Sequence, residues 1–175
     1  SPLGASGTIL LDGGTLEYTG ASTTWSRDAT VGAAGTSFNV SSASETLTLS
    51  GQLSGNGSLT KVGDGTLALN NAANSYTNGS SVNAGVLRVD AAGGAGTGNI
   101  TLNGGVLGIG AVKPANTVDV QTAGVVQGGN AGGLTGISGI TGDSDLTIAV
   151  TTGVFDLIGS MVTYSNTITM SNAGG

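Results

Sequence analysis

The sequence predicts an all-β fold, a parallel β-solenoid (β-helix) with coils of roughly 20 residues. Three observations predict it. Short runs rich in Val, Ile, Leu and Thr alternate apolar with polar residues, as in 45–49 (ETLTL), 146–150 (LTIAV) and 166–170 (NTITM). That period of two is the signature of a strand. No stretch carries a helical stripe, and 34 glycines among 175 residues interrupt most windows of ten, which opposes helix. Finally, glycines that open a similar strand recur at 65, 85, 105 and 124, in steps of 20, 20 and 19 residues. A coil of that length holds two or three short strands and their corners. It cannot bury its apolar side alone, so neighbouring coils must stack.

Taken in order, the first copy is Ile9 to Tyr18, two short strands around the turn Asp12-Gly13-Gly14. Segment 19–44 holds the one tryptophan, Trp25, and the adjacent charges Arg27 and Asp28, and reads as a longer loop or an irregular coil. Clear copies follow at 82–89 and 100–109, with weaker ones at 63–69, 118–126 and 151–157. Segment 127–142 has glycine every two to three residues and reads as a tight coil or a bulging loop. Stacking at about 4.8 Å per coil places Leu67, Leu87 and Leu107 in one internal ladder and Leu69, Val89 and Ile109 in the next. Between them Ala68, Arg88 and Gly108 are expected to face solvent. Asp12-Gly13, Asn56-Gly57, Asp64-Gly65 and Asn103-Gly104 are turn dipeptides. The rival is an antiparallel sandwich, since strands joined by Asn-Gly also resemble hairpins. The regular step favours the solenoid. No linker divides the chain, so 1–175 is expected to be one continuous array of seven or eight coils.

Composition excludes several functions. The chain has no Cys and no His, four Lys/Arg, ten Asp/Glu and a net charge of −6. Cys/His zinc sites, a Ser-His-Asp triad and a cysteine nucleophile are therefore impossible. Arg27, Lys61, Arg88 and Lys113 are too few and too scattered to track nucleic-acid phosphates. No apolar run of 18 residues predicts a spanning helix. The opening SPLGASG has neither the basic nor the apolar region of a leader, as expected for a piece of a longer protein.

Residues 53–89 carry a specific pattern. Gly55, Gly57, Leu59, Lys61, Gly63, Gly65, Thr66, Leu67 and Leu69 follow G-x-G-x-L-x-K-x-G-x-G-T-L-x-L. Asn74, Tyr76, Thr77 and Gly79 form a link, N-x-Y-T-x-G, and Val82, Gly85, Leu87 and Val89 close with V-x-x-G-x-L-x-V. This stretch resembles the autotransporter-associated β-strand repeat of bacterial passenger regions. Asn70-Asn71 departs from the usual Ser-Gly, and Asn78 and Ser80 stand where Gly and Thr are common. The flanks, including Gly105 and Leu107, resemble it more loosely. The resemblance implies a right-handed parallel β-helix on a bacterial cell surface, outer-membrane-associated or secreted, often as an adhesin stalk. It implies no shared catalytic residue and no cofactor. Its partners would be a host or neighbouring-cell surface molecule, protein or glycan, or a second copy. Tethering would run through a C-terminal barrel outside this chain.

Asp143 and Asp145, two apart on one strand face at about 7 Å, meet the carboxyl spacing of a glycosidase. With backbone carbonyls they also suit a hard cation. Their setting, Gly142-Asp143-Ser144-Asp145, is turn-like, and no catalytic or metal site is assigned. Asp12, Asp64, Asp90, Asp119 and Asp156 mostly follow or enter turns and are expected to cap backbone N–H groups. Lys61 and Arg88 are expected to form exposed pairs with Asp64 and Asp90, each of small energetic value. Tyr76 is expected to cover the link onto the coil wall. Trp25 is the one aromatic singled out as a possible ligand contact. The Thr-x-Thr steps at 46/48 and 167/169 do not recur in the middle coils, which opposes an ice-binding face. Sequons at Asn39, Asn56, Asn78 and Asn99 are expected by chance in so polar a chain. The reading is a non-catalytic, structural or adhesive β-helix segment. The alternatives are a polysaccharide-active β-helix enzyme and a self-associating module of the cell surface.

Overall fold

The computed structural model describes residues 7–128, 134–151, 154–157 and 164–172. The strands run, coil by coil, β1 (Ile9–Leu11), β2 (Thr15–Tyr18), β3 (Thr23–Trp25); β4 (Ala29–Val31), β5 (Thr36–Val40), β6 (Thr46–Leu49); β7 (Leu53–Gly55), β8 (Leu59–Val62), β9 (Thr66–Leu69). Two-strand coils follow: β10 (Ser80–Val82), β11 (Val86–Val89); β12 (Ile100–Asn103), β13 (Val106–Ile109); β14 (Thr117–Thr122), β15 (Gly124–Gly128). The last strands are β16 (Leu134–Ile137), β17 (Gly139–Gly142), β18 (Leu146–Val150), β19 (Val154–Leu157) and β20 (Ile168–Asn172).

Every described strand pair is parallel. Hairpins require antiparallel neighbours, so the sandwich reading fails and the chain is a β-solenoid. It has three walls. The first is β1-β4-β7, resumed by the pair β16-β19; the second is β17-β14-β12-β10-β8-β5-β2; the third is β20-β18-β15-β13-β11-β9-β6-β3. Among the described residues the first wall has no strand between β7 and β16, yet the links stack in the same way. Ser75 N–H donates to Leu53 O at 2.8 Å, and Thr97 N–H to Tyr76 O at 3.1 Å.

The step between coils varies around 21 residues. Val86 pairs with Thr66 on one side and Val106 on the other, a step of 20 each way. The extremes are 24, from Thr23 to Leu47, and 18, from Ile100 to Val118. Extra residues are taken up at corners, so strand register survives. Residues 19–44 hold β3, β4 and β5 and belong to the stack. Of 127–142, β16 and β17 are in the stack, while 129–133 lie outside the described residues.

The core is a set of ladders. Leu67, Leu87 and Leu107 are in register and fully buried, as are Leu69 and Val89 with Ile109 beside them. Full burial of one such side chain is worth roughly 1.5–3 kcal/mol. Gly65, Gly85 and Gly105 each stand at the corner directly before these strands, as the step predicts, and Gly124 is the first residue of β15. At Gly85, φ is +59° and a Cβ would lie 2.4 Å from the Gly63 carbonyl oxygen. No L side chain is accommodated there. One expectation needs correction. Ala68 and Gly108 point outward from the third wall but are buried, Ala68 at 0% exposure. Both pair in register with Arg88, and a Cβ on Gly108 would meet the Arg88 stem at 3.2 Å. A long aliphatic stem over small neighbours covers them.

Candidate functional site

Two parts of the rod hold the polar groups that matter: the interior of the third to fifth coils, and the outer surface of the third wall.

Lys61 alternates inward on β8, in register with Phe38 and Val82. It is 0% exposed. Its ammonium donates to the carbonyls of Val62 and Gly63, both at 2.7 Å, and to Ala84 of the next coil at 3.3 Å. The expected exposed pair with Asp64 is therefore corrected: Lys61 is a buried staple between two corners. Burial pushes its pKa down from 10.5 to about 8, with the Asp64 carboxylate pulling the other way. The unfolded chain holds that proton more tightly than the folded one. Stability is therefore expected to rise with pH from about 8 to about 10.5, by up to about 3 kcal/mol, and to be flat in this term below 8. Lys61→Met retains the volume but leaves three carbonyls without a donor. At pH 7 the loss is expected to be about 1–2 kcal/mol, since the desolvation cost of the charge is removed with it. Urea unfolding at pH 7 and pH 10 checks this. The gap between wild type and Lys61→Met should widen at pH 10, and a gap that narrows contradicts the assignment.

Tyr76 goes further inside than expected. It is fully buried beneath the link, with its hydroxyl 2.7 Å from Ser80 Oγ. Burial raises its pKa and the Ser80 hydrogen bond opposes that shift. Asn74, two residues earlier, joins three coils. Its Oδ1 accepts from Leu53 N–H at 2.8 Å, and its Nδ2 donates to Gly94 O at 2.7 Å. Asn116 repeats the device, donating to Gly96 O and Gly98 O at 3.1 and 2.7 Å. These amides replace ladder hydrogen bonds where the first wall lacks a strand. Sequence reasoning matched Asn74 to a motif without seeing this role, and it missed Asn116. No sequence signal marked Asn116, which stands in Pro114-Ala115-Asn116-Thr117 directly before β14, with no glycine until Gly124.

The carboxylates act mostly across coils. Asp12 accepts from Ala34 N–H at 2.9 Å, Asp28 from Gln52 N–H at 2.7 Å and Asp145 from Thr167 N–H at 3.0 Å. Glu45 accepts from the Ser22 hydroxyl and from its backbone N–H, and these bonds hold its carboxyl below the usual range. Asp119 instead meets the side chains of Thr141 and Gln121. The Asp156 side chain lies outside the described residues. Asp143 and Asp145 sit in the turn between β17 and β18. Among the described residues no three acidic side chains gather as a metal site would require.

Trp25 ends β3 facing inward, 6% exposed, with its ring tilted 51° to Phe38 at 6.2 Å. Among the described residues its indole N–H has no hydrogen-bond partner. The repeat-defining residues Gly57, Leu59, Gly63, Gly79 and Val89 lie in corners and inner ladders beside those described above.

On the outer face of the third wall lies a shallow trough of about 630 Å³, crossing the strands from Thr66 to Thr151. Gly108, Gly110 and Gly128 leave the space. Arg88 and Asp90 stand in it as the expected pair, with Nη2 2.8 Å from Oδ2 and Nε 2.9 and 3.0 Å from the two carboxylate oxygens.

Comparison with known proteins fits this geometry. Residues 59–89 match the passenger-associated-transport-repeat family. That span is β8 to β11, one coil step on the second and third walls. The chain is also similar to the adhesin BmaC autotransporter of Brucella suis biovar 1 (strain 1330), 46% identical over 81 residues. The match covers 44% of this chain and 2% of that adhesin's length. No solved structure matches. The chain is thus a parallel β-solenoid whose residues 59–89 match a passenger-associated-transport-repeat and which is similar over 81 residues to an autotransporter adhesin.

Proposed function

We propose that this chain is a non-catalytic, structural and adhesive segment of a bacterial surface or secreted protein. The observation that carries the reading is the coincidence of the 59–89 repeat with one repeating step of the solenoid. Each coil adds about 4.8 Å of length, so the segment spans distance and presents its walls. The winding is right-handed, the hand that parallel crossover connections overwhelmingly take. The partner is a molecule of a host or neighbouring cell, and a translocating barrel elsewhere in the parent protein tethers the rod to the outer membrane. Among the described residues no helix is long and apolar enough to cross a membrane.

Latex beads coated with the 175-residue chain test the adhesive part. Adherence to epithelial or bacterial cells above that of albumin-coated beads is expected. Beads that do not adhere to either would remove adhesion from the reading and leave a spacer. Circular dichroism without strand signal would overturn the structural part as well.

A further inference from the structure

We propose that the trough on the third wall binds a neutral oligosaccharide laid along the rod, about one sugar ring per coil. The proposal names a partner class for the adhesive reading above and rests on it.

The charge in the trough comes first. Its two ionic groups, Arg88 and Asp90, are 2.8 Å apart and neutralise each other, so the trough holds no net charge for an ionic ligand. The chain as a whole is at −6, which further disfavours an anionic polymer. What remains is a set of directed donors and acceptors. Asp90 engages Nε and Nη2 of Arg88, which leaves the Nη1 donors of a rigid planar fork. Gln127, exposed two coils further on, adds an amide donor and acceptor in the same register row as Arg88 and Gly108. Planar groups of this kind match pairs of adjacent sugar hydroxyls.

The shape is also suited to sugar. Val86 and the aliphatic stem of Arg88, which lies over Gly108, make a small, partly apolar floor against which a ring's C–H face can lie. The volume of about 630 Å³ falls in the usual range of small-ligand sites, about 300–1,000 Å³. Rows on this wall repeat at about 4.8 Å, close to the advance of one ring along an extended β-linked chain. Among the described residues no aromatic side chain lines the trough. Stacking therefore adds nothing, each site binds weakly, and adhesion arises from many copies on one surface.

The test uses the 175-residue chain and four neutral probes: cello-, xylo-, manno- and chitohexaose. Binding is followed by titration calorimetry and by perturbation of backbone amide resonances on β11, β13 and β15. At least one hexaose is expected to bind and to shift those amides. Gln127→Ala, at an exposed position, is expected to weaken that binding about tenfold, as is the double variant Arg88→Ala/Asp90→Ala, which removes the pair together. The proposal is overturned if none of the four binds, or if binding survives both variants. It is overturned equally if dextran sulfate binds in preference, or if the trough variants abolish only self-association of the chain. Beads carrying Gln127→Ala separate the two readings. If they adhere as well as wild type while no hexaose binds, adhesion stands and the trough proposal falls.

Discussion

Leu87→Ala is expected to lower the unfolding free energy by about 3 kcal/mol. Leu87 is fully buried, with Leu67 stacked on one side and Leu107 on the other. Truncation removes the transfer energy of three carbons and leaves a cavity. Rigid ladders above and below, held in backbone register, prevent the walls from closing on it. The neighbour Val86 points outward on the same strand and is only half-buried, so Val86→Ala is expected to cost about 0.5 kcal/mol or less. Urea unfolding of the two variants reads the difference directly. Equal losses would mean that the two faces of β11 are not inner and outer. Because each coil contacts only its neighbours, hydrogen exchange in Leu87→Ala should accelerate first on β9, β11 and β13.

Gly57→Ala is expected to cost about 3 kcal/mol, a change of one methyl group. The reason is coil-to-coil approach. A Cβ on Gly57 would lie 1.8 Å from the Gly32 carbonyl oxygen and 2.8 Å from a Val31 methyl. Gly57 N–H also donates to Val31 O at 3.0 Å, so the two corners cannot separate without losing that bond. Gly14→Ala makes the contrast. Gly14 has φ +78° but nothing within 4 Å of an added Cβ, so only the left-handed backbone is penalised, at about 1 kcal/mol. Thermal or urea denaturation of both variants decides between them. A loss at Gly57 no larger than at Gly14 would show that the corners stack more loosely than described.

Much of the architecture was open to a reading of local pattern. Alternation of Leu with Thr or Ala on β6 and β9 is enough to assign strands, because one face of a strand must be apolar to be buried. The step from Gly65 to Gly85 to Gly105 is enough to assign register, because identical corners need glycine at identical places. The repeat at 59–89 follows from the same residues. These are properties of short segments or of a fixed spacing, and spacing survives in one dimension.

Other features arise only where one coil meets the next. Lys61 looks like an exposed cation in sequence because lysine usually is one. It is buried because the carbonyls of Val62, Gly63 and Ala84 converge on its ammonium, and Ala84 comes from a different coil. Asn74 likewise looks like one asparagine among many, until stacking brings Leu53 N–H and Gly94 O to its two ends. The trough depends on Arg88 lying over Gly108, twenty residues away in the chain and adjacent in space. Periodicity sets which residues point inward and how coils align, since those follow from backbone geometry. The partner of each polar group is set by stacking, since unpaired carbonyls and N–H groups inside a rod must be satisfied by whatever the neighbouring coil places within about 3 Å.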